Sequence, residues 1–207
     1  MTARRRNGAA RPAPTGTRNA SAPGRVRLIG GRWRGTRLEV PAVEGLRPTP
    51  DRVRETLFNW LMPVLPGARV LDLFAGSGAL GLEAVSRGAA SATLVERDRD
   101  LARSLRAVAA RLPGGDAVSV VEADARHWLA GVPEAAFDIA FVDPPFAEGL
   151  WNAVLPLLSS RVAANGWLYV EAPLDAAPTP PPGWTLHREG RTREVGYALY
   201  RRSVPAG

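Results

Sequence analysis

Val70-Leu71-Asp72-Leu73-Phe74, followed at once by Ala75-Gly76-Ser77-Gly78-Ala79-Leu80-Gly81, is the stretch from which the fold can be read. An apolar run of strand length that ends in a glycine loop and then a helical pattern through about Arg87 is the opening unit of a parallel sheet. The same alternation continues downstream. Ala92–Glu96 reads as a second strand, about 99–111 as a helix, Ala117–Val121 as a third strand, Asp138–Val142 as a fourth and Trp167–Glu171 as a fifth. The helical stretch before the fifth strand contains Pro156, which should kink or split it. Short apolar strands alternating with helices predict a parallel sheet covered on both faces. Trp184–Arg188 and Glu194–Arg201, with a turn expected near Gly190, read as an antiparallel hairpin at the sheet edge. The expectation is an α/β fold with a seven-stranded, mostly parallel sheet.

Upstream the character changes. Residues 1–24 mix Arg, Ala, Pro, Gly and Thr without apolar periodicity and read as a disordered tail. Val26, Leu28, Trp33, Leu38 and Val40 lie among Gly30-Gly31 and Gly35, the pattern of a small β-hairpin rimmed by arginine. A helix should follow, with Thr49 as N-cap, Pro50 at the first helical position, and Val53, Leu57, Trp60 and Leu61 at helical spacing before Pro63. Three regions are expected: the tail 1–24, a hairpin-and-helix extension 25–62, and the main domain 63–207.

Composition narrows the function classes. There are no cysteines and two histidines, His127 and His187, far apart in sequence, so neither thiolate nor histidine metal sites are expected. The longest apolar runs fall well short of a membrane span, and the basic N-terminus has no apolar stretch of a secretory signal behind it. A cytoplasmic enzyme fits. Ten of the 27 basic residues, all arginine, precede the first acid, Glu39; the 17 remaining face 20 acids, a balance of −3 for residues 39–207. A basic front on a near-neutral body is the footprint of a polyanion binder, with a solvated tail as the bland alternative.

Gly76-x-Gly78-x-x-Gly81, with Glu96 twenty residues past Gly76, formally matches the dinucleotide fingerprint. A nicotinamide or flavin enzyme therefore stands as one reading. Three further carboxylates argue the other way: Asp72 near the end of the first strand, Asp124 after the third and Asp143 after the fourth. Four carboxylates at the carboxyl ends of consecutive strands make an acidic crevice where such sheets bind ligands. A pyrophosphate has no use for that crevice. S-adenosylmethionine, with its sulfonium and ammonium, does. Asp124 could also accept a hydrogen bond from an adenine amino group, and the Gly76–Gly78 turn would let the backbone approach the ligand closely.

Asp143-Pro144-Pro145-Phe146 directly follows the fourth strand. Two prolines fix φ and remove two N–H donors, so the Pro144 carbonyl and the Asp143 side chain can serve as two acceptors for the hydrogens of an exocyclic amine. Phe146 offers the base a stacking face.

At this point the chain resembles the RsmD family of bacterial small-subunit ribosomal RNA guanine-N2 methyltransferases. The resemblance rests on Arg27 to Gly35 (RLIGGRWRG), Leu46 to Leu61 (LRPTPDRVRETLFNWL), Leu71 to Glu83 (LDLFAGSGALGLE), the Asp143–Phe146 motif and the ending around Tyr197–Tyr200. It covers about residues 25–202, and the first two segments are far more specific than the glycine loop. It implies a Rossmann-like class I methyltransferase fold and a monomer that uses S-adenosylmethionine to methylate one guanine of 16S ribosomal RNA, within an assembled or partly assembled small subunit. It carries cofactor roles to Asp72, Gly76, Gly78, Glu96 and Asp124, and roles near the methyl donor and base to Arg47, Thr49 and Arg52. Phe74, Ser77 and Ala125 join the cofactor candidates by position. Arg27, Arg32, Trp33, Arg34 and Arg37 on the hairpin are the candidate RNA contacts. Two other readings remain. DNA adenine-N6 or cytosine-N4 methyltransferases share the motif but usually carry a target-recognition domain, for which this chain has little room. A non-catalytic RNA-binding assembly factor is disfavoured by the intact motif.

Overall fold

A computed structural model describes residues 24–40 and 49–203. The tail 1–23 and Arg47 lie outside the described residues. Two short strands, β1 (Gly24–Arg27) and β2 (Arg37–Val40), pair antiparallel as the expected hairpin. Helix α1 (Asp51–Leu61) follows. The sheet then builds through β3 (Arg69–Asp72), α2 (Ala79–Ser86), β4 (Ser91–Glu96), α3 (Arg99–Arg111), β5 (Val118–Glu122), α4 (Ala125–Ala130), β6 (Phe137–Val142), α5 (Trp151–Ser159), β7 (Val162–Pro173), β8 (Trp184–Arg191) and β9 (Val195–Arg202). Its order is β5-β4-β3-β6-β7-β9-β8. All pairings from β5 through β7 are parallel; β9 sits between β7 and β8 and runs antiparallel to both. This is the Rossmann-like class I methyltransferase topology expected from the sequence.

Alternation along the strands sends neighbouring residues to opposite cores. Val70, Leu94, Ile139, Phe141 and Tyr169 face one layer, with α1, α2 and α3 packed on it together with Val26, Leu28, Trp33 and Leu38 of the hairpin. Leu71, Val95, Ala140, Val142 and Leu168 face the other, under α4 and α5. Most of these side chains are wholly buried, each worth roughly 1.5–3 kcal/mol for the larger aliphatics and Phe. The hairpin is thus stitched into the main core.

Four local expectations change. Thr49 does not cap α1: Pro50 occupies the cap position with no side-chain cap bond, and the Thr49 hydroxyl is used elsewhere. Pro156 does not split α5, which runs unbroken through it. The proline faces solvent, so the Asn152 carbonyl left without its helical donor can be hydrated. The edge hairpin turns at Thr192–Glu194, not at Gly190, because the Thr192 hydroxyl accepts from the N–H groups of Glu194 and Val195 at 3.3 and 3.0 Å. Gly190 instead lies in β8, where a Cβ would come within 2.4 Å of the Tyr197 ring. Finally, β7 begins at Val162, five residues earlier than the apolar pattern suggested. Its first half carries a register shift against β6 and a left-handed Asn165 at φ 63°, features that read as loop in sequence.

Candidate active site

The carboxyl ends of β3, β4, β5 and β6 open onto one cavity of about 700 Å³, lined by Asp72, Glu96, Asp124 and Asp143. The crevice expected from the four carboxylates is therefore real, and each is held in its own way. Asp72 is buried at the end of β3, where its Oδ2 accepts the Gly81 N–H at 2.9 Å. Burial pushes its pKa up to about 7, opposed by the Gly81 bond and aided by the Glu96 charge. Glu96 takes two backbone donors, Gly76 N–H on Oε2 at 2.8 Å and Asp98 N–H on Oε1 at 2.7 Å. Asp124 caps α4, its Oδ1 accepting the N–H groups of Arg126 and His127 at 3.0 Å each, and the His127 bond is the largest influence holding its pKa below the usual range. Phe74, Ser77 and Ala125 also line the cavity.

Asp143 closes β6 at the same mouth. Burial, then the charges of Glu171 and Asp72, hold its carboxyl well above the ordinary range, against a contact from Thr49. The Thr49 hydroxyl donates to Glu171 Oε1 at 3.0 Å, and its oxygen lies 3.4 Å from Asp143 Oδ2. Glu171, at the end of β7, is buried and also accepts the Tyr169 hydroxyl at 2.8 Å. Burial raises its proton affinity too, against those two bonds. Among the described residues nothing donates to the Pro144 carbonyl, while the Pro145 carbonyl accepts the Glu148 N–H at 3.0 Å. Phe146 is 39% exposed and lies 5.8 Å from the Trp151 ring. Glu171 and Tyr169 were not singled out from sequence. The signal was available for Glu171, which terminates an apolar strand as the other carboxylates do.

One observation separates the two cofactor readings. All three glycine N–H groups of the loop are already engaged: Gly76 with Glu96, Gly78 with the Ala75 carbonyl at 2.6 Å, and Gly81 with Asp72. At Gly76 and Gly81 a pyrophosphate would meet carboxylates where a dinucleotide site offers free N–H donors. Gly78 itself, at φ 73°, is required by packing, since a Cβ there would lie 2.4 Å from the Leu105 side chain. Its opening serves α3 and not a close ligand approach.

Comparison with known proteins agrees. The family model described as "Conserved hypothetical protein 95" matches residues 26–201. Ribosomal RNA small subunit methyltransferase D of Escherichia coli K12 is 51% identical over 195 residues, covering 90% of this chain and 94% of that one. Its Haemophilus influenzae namesake is 41% identical, covering 87% and 96%. The solved structure of Escherichia coli yhhF, described as a methyltransferase, superimposes with a TM-score of 0.78 at 48% identity, over 87% of this chain and 99% of that one. The chain belongs to the RsmD family.

The front segment of this RsmD-family chain departs from expectation at one residue. Trp33 is no RNA contact: it is 3% exposed, its indole N–H donates to the Pro113 carbonyl at 3.0 Å, and its backbone N–H donates to the Ser86 hydroxyl at 2.9 Å. Arg32 lies over its ring at 4.8 Å and reaches the Gly114 carbonyl. Arg27, Arg32, Arg34, Arg37 and Arg52 are exposed, with Arg27 3.8 Å from Asp51. A further arginine carried no signal in the sequence. Arg54 is fully buried, donating to the Arg27 and Thr49 carbonyls and to Asp51 and pairing at 3.6 Å with Glu83, which is also fully buried. Glu83 in turn accepts the Ile29 N–H at 2.8 Å and the Arg87 guanidinium at 2.7 Å. This cluster ties the hairpin and Thr49 to α2.

Proposed function

We propose that the protein transfers the methyl group of S-adenosylmethionine to the exocyclic N2 of a guanine in 16S ribosomal RNA, acting as a monomer on an assembled or partly assembled small subunit. The observation that carries this reading is the Asp143–Phe146 motif, which stands at the mouth of a carboxylate-lined cavity whose glycine N–H groups are closed to phosphate. The residues present fit S-adenosylmethionine. The cavity sets acidic groups around a cationic ligand, and the one arginine that lines it among the described residues, Arg97, is paired with Glu148.

When bound, S-adenosylmethionine supplies an electrophilic methyl group on a sulfonium. The chain's own part is to orient and activate the amine. Asp143 and the Pro144 carbonyl take its two hydrogens, which turns the nitrogen lone pair out of the base plane. Holding nucleophile and donor in register contributes roughly 7 kcal/mol or more to lowering the barrier. The raised proton affinity of Asp143 suits it to receive the proton that the methylated nitrogen sheds. Phe146 gives the base a stacking surface worth roughly 1–3 kcal/mol. Asp72, Glu96 and Asp124 retain lone pairs for the ammonium, ribose and adenine, while their existing bonds fix the loop and helix starts around them.

The test is mass-spectrometric mapping of N2-methylguanine in small-subunit RNA from a deletion strain, before and after complementation. A modification pattern identical in both would dispose of the reading. Glu96→Ala should weaken S-adenosylmethionine binding by about 1–3 kcal/mol, because it leaves ligand hydroxyls and two backbone donors without an acceptor. Calorimetry on the folded variant that returns the wild-type affinity would take Glu96 out of the site.

The exposed arginines of the hairpin bind the RNA in this reading. Arg34→Ala combined with Arg37→Ala should flatten the dependence of small-subunit binding on salt, by roughly 0.7–0.9 in log–log slope for each phosphate no longer neutralised. Melting temperature should hold, since both side chains are exposed. A salt series giving lines parallel to wild type would mean that these residues do not touch the backbone of the RNA.

A further inference from the structure

Glu171 has no place in the amine-orienting step, yet the fold fixes it with unusual care. The hydroxyls of Thr49 and Tyr169 both donate to Oε1, at 3.0 and 2.8 Å, and the residue's own carbonyl accepts the Trp151 indole N–H at 2.8 Å. The carboxylate is thereby held from two sides, by the lead into α1 and by its own strand β7, while helix α5 fixes the backbone that carries it. Its second oxygen, Oε2, receives no hydrogen bond from the described residues. It is also not among the fully enclosed unpartnered atoms, of which Arg54 Nη1 is the one found among those residues. Since Glu171 lines the cavity, Oε2 reaches it as an unpaired acceptor. Thr49 sits between Glu171 and Asp143, so the two carboxylates face the same part of the cavity side by side.

We propose that Glu171 is the residue that selects guanine, its free Oε2 accepting the ring N1–H while Asp143 and the Pro144 carbonyl hold the N2 amine. This rests on the guanine-N2 reading above. The chemistry discriminates sharply. Guanine carries a ring N–H next to its amine-bearing carbon, whereas the corresponding nitrogens of adenine, N1, and cytosine, N3, are bare acceptors. Against a pinned carboxylate, adenine or cytosine would set acceptor against acceptor in a desolvated site, a mismatch that polar pockets reject strongly. The motif at Asp143–Phe146 accepts any exocyclic amine and cannot make this distinction alone. Glu171 supplies what it lacks. The donors on Oε1 matter as much as the free oxygen, because they determine which oxygen meets the base and favour the ionised, accepting form.

The test exploits an isosteric swap. In Glu171→Gln the amide oxygen can keep the Thr49 and Tyr169 bonds while an NH₂ donor replaces Oε2. The substrate pair is a small subunit reconstituted with guanine at the modified position and one with 2-aminopurine there, which keeps the 2-amine but has a bare N1. Wild type should methylate the guanine subunit and disfavour the 2-aminopurine subunit by about 100-fold or more in kcat/KM. Glu171→Gln should lose about 100-fold on guanine and gain on 2-aminopurine, with S-adenosylmethionine affinity and melting temperature unchanged. Equal activity of the variant and wild type on guanine would overturn the assignment. So would a loss on guanine without a gain on 2-aminopurine, which marks a merely structural role. Failure of wild type to methylate the guanine subunit at all would instead strike the function proposed above.

Discussion

Asp143→Ala is expected to abolish turnover, by at least about a thousandfold in kcat, while S-adenosylmethionine still binds within a few-fold of wild type. The substitution removes an acceptor that orients the amine and, in the reading above, receives its proton. Single electrostatic partners of this kind are commonly worth about 10²–10³ in rate, and loss of positioning compounds the effect. Cofactor binding should survive because Asp72, Glu96 and Asp124 are fixed independently, by Gly81, by Gly76 and Asp98, and by the start of α4. Removing Asp143 also lifts a like charge from Glu171 and Asp72, so the folded variant should be no less stable. Phe146→Ala should slow the reaction less, and Phe146→Tyr should be tolerated because it keeps the ring. Single-turnover methylation with calorimetry on the same preparations checks this. Simultaneous loss of turnover and cofactor affinity in Asp143→Ala would show that Asp143 builds the cavity and does not act on the amine.

Much of this site was legible because chemistry and topology coincide. Largely apolar strands of four to six residues, each with a carboxylate at or just past its end, announce both the sheet and its functional edge, and Asp72, Glu96, Asp124 and Asp143 all reached the cavity. What the sequence could not convey was how those carboxylates divide their bonds. Glu96 and Asp124 look like ligand acceptors in the chain, and in the fold they first satisfy backbone N–H groups that would otherwise be orphaned. Trp33 misled for the opposite reason. An aromatic among arginines suggests a stacking surface, but its neighbours in space are Ser86 and Pro113, 53 and 80 positions away. Thr49 looks local, a cap beside Pro50, and its partners Asp143 and Glu171 are 94 and 122 residues distant. Local periodicity carries elements well; it carries nothing about long-range hydrogen bonds, and those complete the site.

Glu83→Ala should be the most destabilising single change outside the sheet core, costing about 3–5 kcal/mol. In a chain of this size that corresponds to roughly 6–20 °C in melting temperature. Arg54 and Glu83 come from two of the motifs that carry the family resemblance, and they meet in the interior, both fully buried. The pair is imperfect. Arg54 Nη1 stands 3.6 Å from Glu83 Oε2 and makes no hydrogen bond, so Glu83 gives that buried nitrogen a nearby opposite charge and not a hydrogen-bond partner. Truncating Glu83 leaves the buried Arg54 guanidinium with Asp51 as its remaining carboxylate and deprives the Ile29 N–H and the Arg87 guanidinium of their acceptors. Because Arg54 also holds the Arg27 and Thr49 carbonyls, the loss should spread to the hairpin and to the hydroxyl that positions Glu171. Hydrogen exchange should therefore accelerate first at residues 26–38 and 49–61, and activity should fall further than cofactor affinity. Replacing both charges, Arg54→Met with Glu83→Leu, should recover most of the stability, as apolar substitutes for buried ion pairs commonly do. It should not restore activity, since the Thr49 carbonyl loses its anchor. A single Glu83→Ala variant that melts with the wild type would mean that this buried pair does not hold the front of the molecule to the sheet.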